Sequence, residues 1–171
     1  GDDTEDLGIG INFKQGPLKV MFANETHGNG SAAGVKDSTG NVLAGSYKMG
    51  NIKLLAGYGA ISDLGGTSGY DGTTYTLAAA MKNGMNTFKV QYTATEVDNV
   101  GVKDDATKTA IGVDHKLGKM TNVYAVYAVI ANDDNTNFGF NSTGHGTGSA
   151  ATSGIMGEDS SGFSVGMIHK F

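Results

Sequence analysis

The charged side chains that recur inside alternating polar and apolar stretches are Lys19, Lys53, Lys89, Lys108, Asp114 and Lys116. Fixed charges spaced this way do not make or break bonds. They attract or repel ions along a wetted wall, and so bias which ions pass it. The competing reading is that they are solvated wall residues remote from any constriction. Catalytic patterns are missing: there is no G-x-S-x-G, no H-E-x-x-H and no phosphate loop. Gly8-Ile9-Gly10 lacks a following helix. Ser46, His27 and Asp37 are the one loose set that a fold could bring together for acyl transfer. His27, His115, His145 and His169 are scattered, with no pair at ligand spacing on one strand, so no metal centre is expected. No cofactor and no enzyme activity are expected.

Composition narrows the class. The 171 residues suit one domain. The net charge is −5 and all twelve basic residues are Lys, which argues against a nucleic-acid partner. With Cys 0 there is no disulfide framework and no thiolate site. Charged residues are 17% of the chain, against roughly 25% in an average soluble domain. The hydrophobic fraction, 39%, is low as well. A soluble globule must fill a core, whereas a barrel wall with one face in lipid and the other in water need not. The longest apolar stretch, Val123 to Ala131, is too short for a membrane helix and fits one tilted strand of roughly 9–11 residues. The acidic, polar start, Gly1 to Asp6, does not read as a signal peptide.

The elements that must carry the lysines are strands. Side-chain alternation with a period of two recurs in nine segments. Leu7, Ile9, Ile11 and Phe13 form the first row; Leu18, Val20 and Phe22 the second; Leu43, Gly45 and Tyr47 the third; Leu54, Ala56, Tyr58 and Ala60 the fourth. Tyr75, Leu77, Ala79 and Met81 follow, then Phe88, Val90, Tyr92 and Ala94 against Thr87, Lys89, Gln91, Thr93 and Thr95. Ile111, Val113 and Leu117 make the seventh row, and Phe163, Val165, Met167 and Phe171 the ninth. The eighth segment, Val123 to Ala131, is apolar on both faces, which leaves its phase open.

The connections separate a membrane barrel from a soluble sandwich. Four are short and carry turn residues: 14–17, 49–51, 82–86 and 118–121. The others, 27–40, 62–72, 98–106 and 132–161, are long and polar, and the two kinds alternate. Outer-membrane barrels have short turns at the periplasmic end and long loops outside. Lys14, Lys48, Lys82, Lys116, Lys119 and Lys170 lie at or beside the short turns, and most acids lie in or next to the long loops. Among these, Asp133, Asp134, Glu158 and Asp159 suit Ca²⁺ or divalent bridges to lipopolysaccharide, with a solvated acidic loop as the plain alternative. Tyr47, Tyr58, Tyr92, Tyr124 and Tyr127 are candidates for an aromatic girdle at headgroup depth.

The stretch from Gly112 through Gly118-Lys119-Met120-Thr121 to Ala128 resembles the penultimate hairpin of Gram-negative general porins, in which a strand G-x-x-Y-x-L runs into S-K-R-T and then L-Y-x-x-Y-A. Gly162 to Phe171 resembles their terminal strand, and Gly57-Tyr58-Gly59 before a Gly-rich loop is similar to the family. His115 stands where Tyr is usual, and Gly118-Lys119-Met120 replaces Ser-Lys-Arg. The resemblance implies sixteen strands, a homotrimer, and a terminal aromatic, here Phe171, read by the barrel-assembly machinery. Nine segments is an odd number, and the opening acids look like the end of a long loop, so the expectation is the C-terminal portion of a larger barrel.

Together these readings predict an all-β, antiparallel up-and-down transmembrane barrel in a single domain, 1–171, in the outer membrane of a Gram-negative bacterium. It would be a water-filled channel for passive diffusion of small polar solutes and ions. The alternative is a small closed barrel that serves as adhesin or anchor through its loops. A soluble all-β binding domain is a third reading, which detergent-free solubility would favour.

Overall fold

A computed structural model describes residues 5–30, 32–140 and 155–171. Among them, nine strands form one sheet in chain order, each paired antiparallel with the next: β1 (Asp6–Gln15), β2 (Leu18–His27), β3 (Ser38–Met49), β4 (Ile52–Ser62), β5 (Tyr70–Asn83), β6 (Asn86–Asn99), β7 (Val102–Lys116), β8 (Thr121–Asn132) and β9 (Ser160–His169). One 3₁₀ turn, Leu64–Gly66, lies between β4 and β5. The sheet is open, because β1 and β9 do not pair with each other.

The register joins the apolar rows into one continuous surface. Ile11 stands opposite Phe22, Phe22 opposite Leu43, and Leu43 opposite Tyr58. Across the other half, Leu77 faces Tyr92, Ile111 faces Tyr127, and Tyr127 faces Phe163. A one-residue slip in any strand would turn its apolar row to the other side. The pairing also fixes the phase of β8: Val123, Ala125, Tyr127, Val129 and Ala131 lie on the apolar face, and Tyr124, Val126, Ala128 and Ile130 on the polar face.

Exposure is inverted relative to a soluble protein. Leu77 is 62% exposed, Val165 64% and Phe163 69%, and Phe88, Val90 and Tyr92 stand open to the surroundings. Among the described residues the buried apolar ones, Ala106, Ala128 and Ile130, are few and belong to the polar face. That face is therefore the inner, mutually shielded side of a curved sheet. Polar side chains there satisfy one another. Thr74 and Thr95 hydroxyls lie 3.2 Å apart, and those of Thr76 and Thr93 3.1 Å. On the other face, beyond the apolar rows of β2 and β3, Asn24 donates to Asn41 Oδ1 at 2.9 Å.

The short turns are tight, and three of the four have one Gly that accepts a positive φ: Gly16 (φ 54°), Gly50 (φ 59°) and Gly84 (φ 60°). One expectation fails. Residues 98–106 are not a long loop, because β6 and β7 continue the ladder through Val97↔Asp104 and Asp98↔Lys103 to a two-residue turn at Val100-Gly101. Both turn residues have positive φ, 54° and 91°, the pattern of a type I′ hairpin. Acidic composition read as loop, but backbone pairing beyond the membrane band tolerates charge on both faces, so the strands keep going.

Candidate functional site

All six charged candidates lie on the inner face. Lys19 stands opposite Lys14 on one side and Ser46 on the other. Lys53 faces Lys48 and Ala80, and Lys89 faces Ala80 and Gly112. Asp114 is set between Thr87 and Tyr124, one pleat from Lys89, and forms an ion pair with the Lys89 ammonium. Lys116 ends β7 opposite Asn122. Lys108 is apart from the rest, half-buried near mid-strand between Thr93 and Ile130.

The structure adds Lys14, Lys48 and Lys82 to this group. Each heads the sequence Lys-x-Gly, which recurs at 14–16, 48–50, 82–84 and 116–118 with equal spacing. The spacing is two strands and their turns, so the same element is placed at the head of every short turn. Three of these lysines also bind the preceding turn by their backbone: Lys48 N–H donates to the Pro17 carbonyl at 3.1 Å, Lys82 to Asn51 at 2.9 Å, and Lys116 to Met85 at 2.9 Å. The repeat was visible in the sequence as a signal, but only the register shows that it forms one row. Beside it, Asn12, Lys14, Lys19, Met21, Ala44 and Ser46 line a hollow of about 370 Å³ on the inner face.

The opposite end is built differently. Its longer loops add side-chain bonds to local turn geometry. Asn29 donates to the Lys36 carbonyl at 3.0 Å and to Ser38 Oγ at 2.8 Å, and Ser38 Oγ donates to the Asp63 carbonyl at 2.8 Å. Lys36 and Asp63 form an ion pair at 3.8 Å. Thr136 is buried and its hydroxyl donates to the carbonyls of Asp105 and Asp133. The start of the β8–β9 connection folds over the inner face, where Phe138 lines a hollow with Ile61, Leu64 and Val97 and the Phe140 ring lies against Gly162. In the same connection Asp159 accepts the Asn132 N–H at 3.0 Å, and Asp133 N–H donates to Asp105. Among the described residues, no three His, Asp or Glu come together as a metal-binding group. His145 lies outside the described residues.

Ser46, His27 and Asp37 do not assemble. Ser46 is near the short turn, whereas His27 is at the far end of β2, opposite Ser38 and paired with Asp6. Roughly eight strand residues, about 26 Å, separate them.

Of the five girdle candidates, Tyr47, Tyr58, Tyr92 and Tyr127 are on the outer face, and Tyr58 packs on Tyr75 with ring centroids 5.3 Å apart. Tyr124 must be withdrawn. It is on the inner face, where its ring lies over Gly166, and a side chain at 166 would overlap it. The apolar residues on both sides of β8 hid this parity. Phe171 is fully exposed and meets His169 edge to face at 5.0 Å.

A family profile described as Gram-negative porin matches residues 1–135, which takes in the hairpin at 112–128 and stops before β9. No curated protein matches the chain. Among solved structures, an anion-selective porin from Comamonas acidovorans is similar with TM-score 0.80 at 24% identity, over 97% of this chain and 49% of that one. A porin refined at 1.8 Å is similar with TM-score 0.64 at 18% identity, over 95% of this chain and 50% of that one. The chain spans about half the length of these solved porins.

Proposed function

This chain belongs to the Gram-negative porin family, and we propose that its sheet is one side of a water-filled channel through the outer membrane, passing small hydrophilic solutes and ions by diffusion. The observation that carries the reading is the inversion of its faces: large apolar side chains point outward across all nine strands, while Lys, Thr, Gln and Asp point inward. In lipid, each backbone N–H and C=O needs a partner within the protein, so β1 and β9 need further strands to complete the wall. Chain 1–171 serves as a single barrel domain in this reading, and the assembled protein is a homotrimer seated among lipid and lipopolysaccharide. Phe171, exposed at the end of the terminal strand, is the element offered to the assembly machinery.

Lys19, Lys53, Lys89, Lys108, Asp114 and Lys116 line the water side in this reading, and the excess of Lys favours anions. The similarity to an anion-selective porin supports that preference.

Planar-bilayer recording tests the whole. Stable single-channel steps are expected, with a reversal potential in a KCl gradient displaced toward the anion. K53E together with K89E should move it toward the cation. An unchanged permeability ratio would mean that these residues are remote from the constriction. A protein that inserts but never conducts would sink the channel and favour the adhesin or anchor reading.

A further inference from the structure

We propose that the short-turn end of the inner face is a binding site for multivalent oxyanions of the phosphate class, held by the Lys14/Lys19 and Lys48/Lys53 pairs. The inference rests on the channel reading above, since it needs this face to be wet.

In each pair the two lysines are direct cross-strand partners. Like charges placed so are destabilising, because their Cβ atoms are only about 5 Å apart. This sheet carries the arrangement twice, on neighbouring hairpins. No acid relieves it: among the described residues the sole carboxylate on this part of the inner face is Asp114, which Lys89 engages. Two opposed cations without an internal counter-charge are relieved by an external anion.

The lysines recur through the Lys-x-Gly repeat, so their placement follows the short turns, not the composition of any one strand. Successive strands are about 4.8 Å apart, which spreads the cations over β1 to β5 as a row. An anion with several phosphoryl groups spans more of that row than a single phosphate does. Lys acts here as a compact point charge, which suits a flexible oligophosphate better than a geometry demanding a planar fork. The hollow between Asn12, Lys14, Lys19 and Ser46 offers room and two further polar groups. A lipid headgroup is the wrong occupant, because the same ends of these strands present Phe13, Leu18, Tyr47 and Leu54 to the lipid side.

The test uses the native protein in phosphatidylcholine bilayers, which carry no anionic headgroups, with tripolyphosphate, pyrophosphate or inorganic phosphate added to one side. Tripolyphosphate is expected to block the KCl current at the lowest concentration and phosphate at the highest, more strongly from the short-turn side. K14Q with K19Q should raise the half-blocking concentration of tripolyphosphate about tenfold or more. K48Q with K53Q should do the same, which covers a failure of the first variant to fold. K103Q, at the opposite end of the molecule, should leave block unchanged. A conducting wild type untouched by millimolar tripolyphosphate overturns the site and leaves the channel intact, as does equal block of wild type and both double variants. A wild type that never conducts refutes the channel instead. Equilibrium dialysis of tripolyphosphate against the detergent-solubilised protein then reads the site directly, and binding equal in K14Q/K19Q and wild type overturns it.

Discussion

The two faces of this sheet share every backbone hydrogen bond and differ only in side chains, yet they obey opposite rules. On the outer face a large apolar residue is stable while exposed, because the medium is hydrocarbon. On the inner face the same exposure would meet water, and there the sheet places Lys, Thr, Gln, Asn and Gly, with threonine hydroxyls paired across strands. The lesson is that burial does not identify the apolar side of such a wall. Parity does, and parity is set by register.

The strongest way to break this comparison is to put one charge on each face at the same height. Leu77 on the outer face and Ala78 on the inner face are sequence neighbours in mid-strand. L77K should cost about 3 kcal/mol in lipid vesicles, from the transfer of an ammonium to the midplane. A78K should cost less than about 0.5 kcal/mol. Urea unfolding of the protein in vesicles checks both, and similar losses for the two variants would mean that both faces are wet.

A second contrast concerns space. On the inner face Gly166 lies under the Tyr124 ring, so G166V drives that ring off its site and should cost about 2 kcal/mol. On the outer face Gly45 has only ordinary contacts around a new Cβ, the nearest being the Lys19 carbonyl at 3.5 Å. G45V should therefore stay within about 0.5 kcal/mol of wild type. G166V combined with Y124A should recover much of its loss, which unfolding midpoints will show.

A third contrast concerns polar satisfaction. Thr93 Oγ1 bonds Thr76 and also accepts from Gln91 Nε2 at 3.1 Å. T93V strands two partners on the wetted face, where water replaces the lost bonds, so the cost should be about 1 kcal/mol. The outer Tyr58–Tyr75 pair contains no such bond, and Y58L should lose about 0.5 kcal/mol of ring packing.

Most of the wall was legible from residue types. Period-two alternation located all nine strands, and Gly with its turn partners located the four short connections. The inward set of Lys19, Lys53, Lys89, Lys108, Asp114 and Lys116 follows from the same parity. Three things were hidden, each for a physical reason. Residues 98–106 are acidic, and charge on both faces reads as loop, although a ladder outside the lipid band does not care about side-chain polarity. Tyr124 is in a strand apolar on both sides, where parity gives no signal and only pairing with β7 and β9 decides. Lys14, Lys48, Lys82 and Lys116 read as a group at the short turns, but that they form one row on the inner face depends on the register that aligns these distant positions.

The smallest expected effect sharpens the comparison furthest, because it separates stability from function on one face. Asp114 and Lys89 form their ion pair half in water, with side-chain exposures of 35% and 49%. A pair that open to solvent contributes at most about 0.5 kcal/mol, and salt screens it. D114N should therefore leave the unfolding midpoint nearly unchanged. The charge balance of the wall is another matter, since the substitution frees the Lys89 ammonium and removes what is, among the described residues, the sole side-chain carboxylate on the short-turn half of the inner face. Reversal potentials in a KCl gradient should move toward the anion, most clearly at low salt. If D114N instead unfolds readily and keeps its selectivity, the pair is structural, and the inner face follows packing more than the field along its wall.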